Sequence, residues 1–420
     1  MIQVSLQLQL VLGISLVVAS LGFVSESPRV HYDEYHVYNI VPEKESKITF
    51  LKDIESTSDS IIFVDGIHSV NESIDVVVAP HKALDFEIVL NTTQIKFSLI
   101  EEDFQRALRN FNAPLKFDVY NSLEDTNNWL LSLAEDYPAI VSIMKYGESY
   151  EGRDLNCLKI SYNSTEEKDA IFVEAGMNGQ EWIAPATALY LINELLTSGS
   201  LKVSRIAKSY DWYIIPHVNP DGYQYSRTVD RLWRKTRKPY GTSFGANLNR
   251  NFDYKWGEFG SSKKACATNY IGPQPESEIE AVKLHKLVFN LQKKIKLYVS
   301  LHAFGQRLEY PEKPRSDNVY EICRAAISAM KIRYGTEYTC GSKFDSQFPE
   351  SGTFTDWVYK EFSSFAQLAF SYKLRPKRRN YETGFQLHTD QIVPTAEETL
   401  DSLVAMINTA EPQKFIYRVL

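Results

Sequence analysis

The sequence predicts a large mixed-sheet α/β/α domain preceded by a small α+β domain, and three observations predict it. From 119 to 412, apolar strand-like runs alternate with amphipathic helical runs, the pattern of a largely buried mixed sheet covered by helices. Before it, over about 75 residues (28–105), strands and a helix are mixed without that alternation. Between the two lies a linker, 106–118, that contains Arg106, Arg109 and Lys116. A chain of 420 residues is long enough for both parts. Apolar residues make up 44% and charged residues 24%, a globular composition. The net charge of -7 excludes a whole-protein basic footprint for nucleic acid.

At the N-terminus, Leu10 to Val24 is an apolar run of about 15 residues, short for a membrane span and suited to a signal-peptide core. Ser20 and Gly22 are small residues of the kind a signal peptidase accepts, so residues 1–22 are expected to be removed. A buried helix or a membrane anchor is the alternative. Asn71, Asn91 and Asn163 begin glycosylation sequons, in keeping with export. In the small domain "YHVYNIVP", "SIIFVDG", "IDVVVAP" and "IKFSLI" read as strands, and "HKALDFEIVLN" as a helix. The large domain opens on "SLEDTNNWLLSLAEDYPAIV", where Ser122 followed by Asp125 is a capping signal. Its strands include "AIFVEAG", "WYIIPHVNP" and "IKLYVSLHAFG"; its helices include "PATALYLINELL" and "SEIEAVKLHKLV". In such sheets sites lie where strands exit, and "VEAGMNGQE" and "VSLHAFGQ" both occupy exits. There is no C-x-x-C among the 4 cysteines, which argues against a structural zinc ribbon.

The stretches "YGESYEGRDLNCLKIS", "EAGMNGQEWIAPA", "NPDGYQYSRTVDRLWRKTR", "NLNRNFDYKWG", "YIGPQPESEIEA", "SLHAFGQ" and "DQIVPTAEET" follow one another in a recognisable order. Through them the chain, from about residue 30 to 412, resembles the secreted zinc metallocarboxypeptidases of the carboxypeptidase A/B type. The resemblance implies that the small domain is a ferredoxin-like pro-domain, which covers the active site until the linker is cut. It also implies a zinc held by a His-x-x-Glu turn and a distant His, a catalytic Glu as general base, an oxyanion Arg, and an Asn-Arg grip on the substrate's terminal carboxylate.

Placed on that pattern, Glu181 and His302 stand at two zinc-ligand positions, but Asn178 stands where the first His belongs. An amide oxygen is a poor substitute for imidazole on zinc. Asn247 replaces the carboxylate that orients that His, and the two amides are expected to bond each other. Lys373, in "SYKLRP", stands where the general base belongs. An ammonium cannot accept the proton of a metal-bound water at its ordinary pKa. About 5 Å from a divalent ion, at an effective dielectric of about 20, it would oppose the metal by about 6–7 kcal/mol. Phe348 replaces the Tyr that closes over substrate, Gln180 an Arg that receives the peptide, and Phe304 a subsite Tyr. Asn249, Arg250 and Arg234 retain the carboxylate grip and the oxyanion position. Thr355, at the base of the side-chain pocket, brings no charge.

These matches imply a pseudo-peptidase: a secreted protein that has lost zinc ligation and the general base, binds peptide or protein C-termini, and has no membrane partner once the signal is gone. Lys373 is expected to pair with Glu181 in the former metal position. The basic run "KLRPKRR" reads as a solvated loop, an acidic-peptide rim or a protease-sensitive loop. The second reading is a working zinc carboxypeptidase in which water, His217 or His388 substitutes for Asn178. The family's usual disulfide is incomplete, with Cys266 present and Ser243 opposite it. A Cys323–Cys340 bridge is the remaining candidate.

Overall fold

A computed structural model describes residues 34–64, 66–67, 69–102, 115–162, 167–292, 294–311, 318–343, 349–361, 368–377 and 384–411. The expected signal sequence, Arg106, Arg109, Asn163, Phe348, Arg378 and Arg379 lie outside the described residues. The chain divides between Ala113 and Pro114 into two compact units.

The first unit runs β1 (His36–Val41), α1 (Glu45–Thr57), β2 (Ile61–Phe63), β3 (Ile74–Val78), α2 (Pro80–Thr92) and β4 (Lys96–Glu101). Its sheet has the order β2-β3-β1-β4, and every pairing is antiparallel. Tyr38, Ile40 and Val76 from the strands meet Ile48 and Leu51 of α1 and Phe86 of α2 in one core. α2 begins with Pro80 at its first turn, where the missing N–H has no helical partner to lose. The sequon residues Asn71 and Asn91 are exposed.

The second unit is larger. Its first half runs α3 (Leu123–Asp136), β5 (Val141–Glu148), β6 (Asp154–Ile160), β7 (Ala170–Ala175), α4 (Ile183–Thr197), α5 (Leu201–Ser209), β8 (Asp211–Ile215) and α6 (Pro220–Thr228). A short hairpin follows, β9 (Pro239–Tyr240) with β10 (Ser243–Phe244), and then a 3-10 turn, Leu248–Arg250. The second half is α7 (Ile279–Leu291), β11 (Ile295–Ala303), β12 (Arg307–Tyr310), α8 (Val319–Tyr334), β13 (Thr339–Ser342), α9 (Phe354–Glu361), β14 (Leu368–Leu374) and α10 (Ile392–Ala410).

Eight strands form one mixed sheet in the order β13-β12-β14-β11-β7-β8-β6-β5. Its centre, β14-β11-β7-β8, is parallel. β7 and β8 are buried at every residue, as a sheet covered on both faces demands. On one face, Val173, Ile214 and Val299 pack with α4, α8 and α10. On the other, Phe172, Tyr213 and Tyr298 stack and pack with α7 and α9. Ser122 accepts from the Asp125 N–H and completes a capping box at α3, as its spacing predicts. Cys323 and Cys340 form a disulfide that ties α8 to edge strand β13, while Cys157 and Cys266 are free.

Glu280, on α7, is buried and accepts the Tyr150 N–H at 2.9 Å, fixing the turn between β5 and β6. Burial, which disfavours the carboxylate, raises its pKa to about 7. The folded state therefore holds a proton that the unfolded chain releases near 4.5. Stability should fall as pH rises through that interval, by about 3 kcal/mol in total. Glu280→Gln keeps the acceptor and removes the charge. Urea unfolding should show it little changed at pH 4 and more stable than wild type at pH 8.

Candidate functional site

Three strand exits build the site. β11 lies between β7 and β14, all parallel, so their carboxyl ends emerge side by side. The register sets His302 of β11 opposite Lys373 of β14. Register partners point to the same face of a sheet, so imidazole and ammonium share one pocket. The chain leaves β7 through Gly176, whose φ is 70°. A Cβ there would lie 2.8 Å from the Pro216 carbonyl oxygen, so only glycine permits this turn. The turn brings Asn178 and Glu181 over the strand ends just before α4.

Asn178, Glu181 and His302 are all buried, and Glu181 bonds both of the others. One Glu181 oxygen meets His302 Nδ1 at 2.8 Å; the other accepts from the Asn178 amide at 2.9 Å. His302 Nε2 lies 3.0 Å from the Asn249 amide nitrogen. That nitrogen can only donate, so Nε2 accepts and the ring proton sits on Nδ1, donated to Glu181. Burial lowers the His302 pKa and keeps the ring neutral, against the pull of the Glu181 charge. Burial alone would raise the Glu181 carboxyl, but His302, Arg234 and Lys373 hold it below its ordinary value.

The residues expected to grip a substrate carboxylate face an internal one instead. Arg250 is buried, with Nη1 donating to the Asn249 carbonyl at 2.6 Å and Nε to that of Gly260 at 3.2 Å. Its remaining end, Nη2, forms an ion pair with Glu350. The other Glu350 oxygen lies 3.6 Å from Lys373 Nζ. The loop is held against the Arg250 turn by Gly352, where a Cβ would come within 2.5 Å of the Arg250 carbonyl oxygen. Thr355 is buried on the first turn of α9, next to Asp356, which pairs with buried Lys343 at 3.2 Å.

Two expectations are corrected. Lys373 does not pair with Glu181: His302 already fills that carboxylate, and Glu350 offers Lys373 a nearer anion. Asn178 and Asn247 do not bond each other either. Asn178 turns its amide nitrogen to Glu181, the stronger acceptor, and the Asn247 side chain finds no hydrogen-bond partner among the described residues. Gln180 is buried at the turn, and Phe304 packs edge-on against Phe385. Of the substitute ligands, His217 packs on Tyr223 at 4.3 Å between ring centres, and His388 sits at the surface with Asp390. Sequence reasoning missed Glu350 and Lys343. Lys373, a cation at a buried strand end, was the signal that some carboxylate had to face it.

Residues 126–402 match the family model described as zinc carboxypeptidase, and residues 38–110 match that of the carboxypeptidase activation peptide. The chain belongs to the zinc carboxypeptidase family. Zinc carboxypeptidase A 1 of Drosophila melanogaster is 42% identical, covering 96% of this chain and 97% of that protein. Carboxypeptidase B of the crayfish Astacus astacus is 36% identical over 69% of this chain and 96% of its own. Among solved structures, that of thrombin activatable fibrinolysis inhibitor superimposes with a TM-score of 0.66 at 26% identity, covering 92% of this chain and 100% of that one.

Zinc belongs to the family, but the residues at this site do not fit it. Asn178 presents an N–H donor, not a lone pair, to the cluster, and the Glu181 carboxylate and His302 satisfy each other. Lys373 adds a cation in register with His302. No group of three metal-ligating side chains gathers among the described residues.

The Glu181–His302 pair should instead carry stability. His302→Ala would leave a buried carboxylate with one amide donor, and is expected to cost about 3–5 kcal/mol in urea unfolding. Glu181→Gln, which removes the charge as well, should cost less than half of that.

Proposed function

We propose that this chain is a secreted member of the zinc carboxypeptidase family that has lost hydrolysis and binds the C-termini of peptides or proteins. One observation carries the reading: the Asn178 amide donates into the Glu181–His302 pair while Lys373 stands in register beside His302. Hydrolysis by this family's chemistry needs a metal ligand at the first position and a proton acceptor at the second. Asn178 and Lys373 supply neither. The carboxylate grip, by contrast, keeps its residues: Asn249, Arg250 and Arg234, with Thr355 in the adjoining pocket. An Arg whose Nη2 end already faces a carboxylate suits a terminal carboxylate.

Export is supported by the N-terminal apolar run and by sequons on exposed Asn71 and Asn91. Among the described residues no helix is long and apolar enough to cross a membrane. The activation-peptide domain makes the chain's own pro-domain a partner. The second reading, an active zinc carboxypeptidase with an altered ligand set, is favoured by the names of its relatives, 42% identity to one of them included. It needs both a replacement ligand and a new base.

Metal content and turnover separate the two. The purified chain, intact and cut in the linker by trypsin, should hold far less than one zinc per chain and release no C-terminal residue from a peptide panel. Stoichiometric zinc with chelator-sensitive turnover would overturn the loss of hydrolysis. Asn178→His combined with Lys373→Glu should restore zinc binding, read by metal analysis. For the binding reading, calorimetry should show a free C-terminal acid bound at least about tenfold more tightly than its amide, about 1.4 kcal/mol. Equal affinities would remove Asn249 and Arg250 from that role.

A further inference from the structure

Glu350 is the group in this pocket that the family pattern leaves without a role. It is held by the same Arg250 nitrogen that a ligand carboxylate would use, Nη2, because Nε and Nη1 are spent on backbone carbonyls. Its second oxygen has no hydrogen-bond partner among the described residues and faces Lys373 Nζ at 3.6 Å. One carboxylate thus bridges two cations that come from different elements, the Leu248–Arg250 turn and β14.

We propose that Arg250 and Lys373 form a two-armed carboxylate clamp, that Glu350 fills it as an internal ligand, and that a peptide C-terminus binds by exchanging with Glu350. This rests on the reading that the pocket takes peptide C-termini. It gives Lys373 a binding role in place of the lost catalytic one.

The charges around the clamp explain why it does not stand empty. Arg250, Lys373, Lys343 and Arg234 all favour the ionised form of Glu350 and hold its pKa well below the usual carboxylate range, although burial acts the other way and more strongly than any one of them. Lys343 is satisfied by Asp356 at 3.2 Å and by the Thr353 hydroxyl at 2.7 Å. Among the described residues, Arg234 and Lys373 have no such private partner in the pocket, and Arg234 Nε has no hydrogen-bond partner. Without Glu350, half-buried and buried cations would face one another uncompensated. An incoming carboxylate replaces like with like: one anion enters as another returns to water.

The exchange leaves the backbone in place. The Ser351 hydroxyl accepts the Phe259 N–H at 2.9 Å, and the Gly352 N–H donates to the Tyr254 carbonyl at 2.8 Å. Only the side-chain torsions of Glu350 need to move. A tethered competitor lowers the apparent affinity of any external ligand by the fraction of time it occupies the site.

The test uses an N-acetylated tripeptide ending in leucine, as free acid and as amide, titrated by calorimetry into the full chain and into the chain cut in the linker. Glu350→Gln should raise affinity for the acid by roughly tenfold or more and leave the amide unchanged. Lys373→Met in the Glu350→Gln background should remove at least half of that gain and narrow the acid–amide difference. If Glu350→Gln does not fold, Glu350→Asp, with the carboxylate drawn back by one methylene, should show a smaller gain of the same selectivity. Unchanged affinity for the acid in the variant that folds would overturn the internal ligand and leave the C-terminal grip standing. No binding of the acid by wild type or variant would overturn the grip itself, and the clamp with it.

Discussion

The pocket depends on one hydrogen bond, His302 Nδ1 to Glu181, made where β7 and β11 emerge side by side. A carboxylate this deeply buried is unstable without a compensating donor. The bond fixes the imidazole tautomer, and the tautomer fixes Asn249, whose amide must then donate to Nε2. Asn249 in turn accepts the Phe354 N–H at 3.2 Å, which pins the start of α9 and the pocket wall around Thr355. The Asn178 amide closes the group from the other side. Asn178 and Asn249 are thus organised by one neutral imidazole and one ion.

The same constraint determines where Lys373 goes. Its register beside His302 places an ammonium over a carboxylate that is already satisfied, so it needs another anion. Glu350 supplies it and also faces Arg250. The pocket is therefore two adjoining parts: a nearly neutral Asn178–Glu181–His302 cluster, and a cationic part whose counter-ion comes from the chain itself. Lys373, at the position where the family resemblance implies a Glu, makes this part of the pocket cationic, and it faces the Glu350 carboxylate.

Much of this was legible in the sequence. The central strands are apolar runs because both faces of the sheet are covered, and Ser122 with Asp125 announces α3. α1 was not legible: Lys44 makes no capping bond, and only Ile48 and Leu51 are buried, too little to set a period. The family motifs located Asn178, Glu181, Asn249 and His302. They did not locate their contacts, since which oxygen of Glu181 meets which nitrogen depends on turn geometry and on competition among acceptors. Glu350 carries no motif, and it meets Lys373 only because Gly352 presses its loop onto the Arg250 turn.

Likeness to relatives over nearly the whole chain is physically compatible with a pocket that holds Asn178 and Lys373. The fold is held by apolar cores such as Val173, Ile214 and Phe172, Tyr298, on opposite faces of the sheet, and by the Cys323–Cys340 bridge. None of these needs the metal. A buried zinc site contributes through its ligands, and here Glu181 and His302 satisfy each other. A fold of this size can therefore keep its architecture and its activation-peptide domain while the chemistry at the strand exits changes. In the cationic part of the pocket, Arg250 and Lys373 hold the Glu350 carboxylate without requiring that it react.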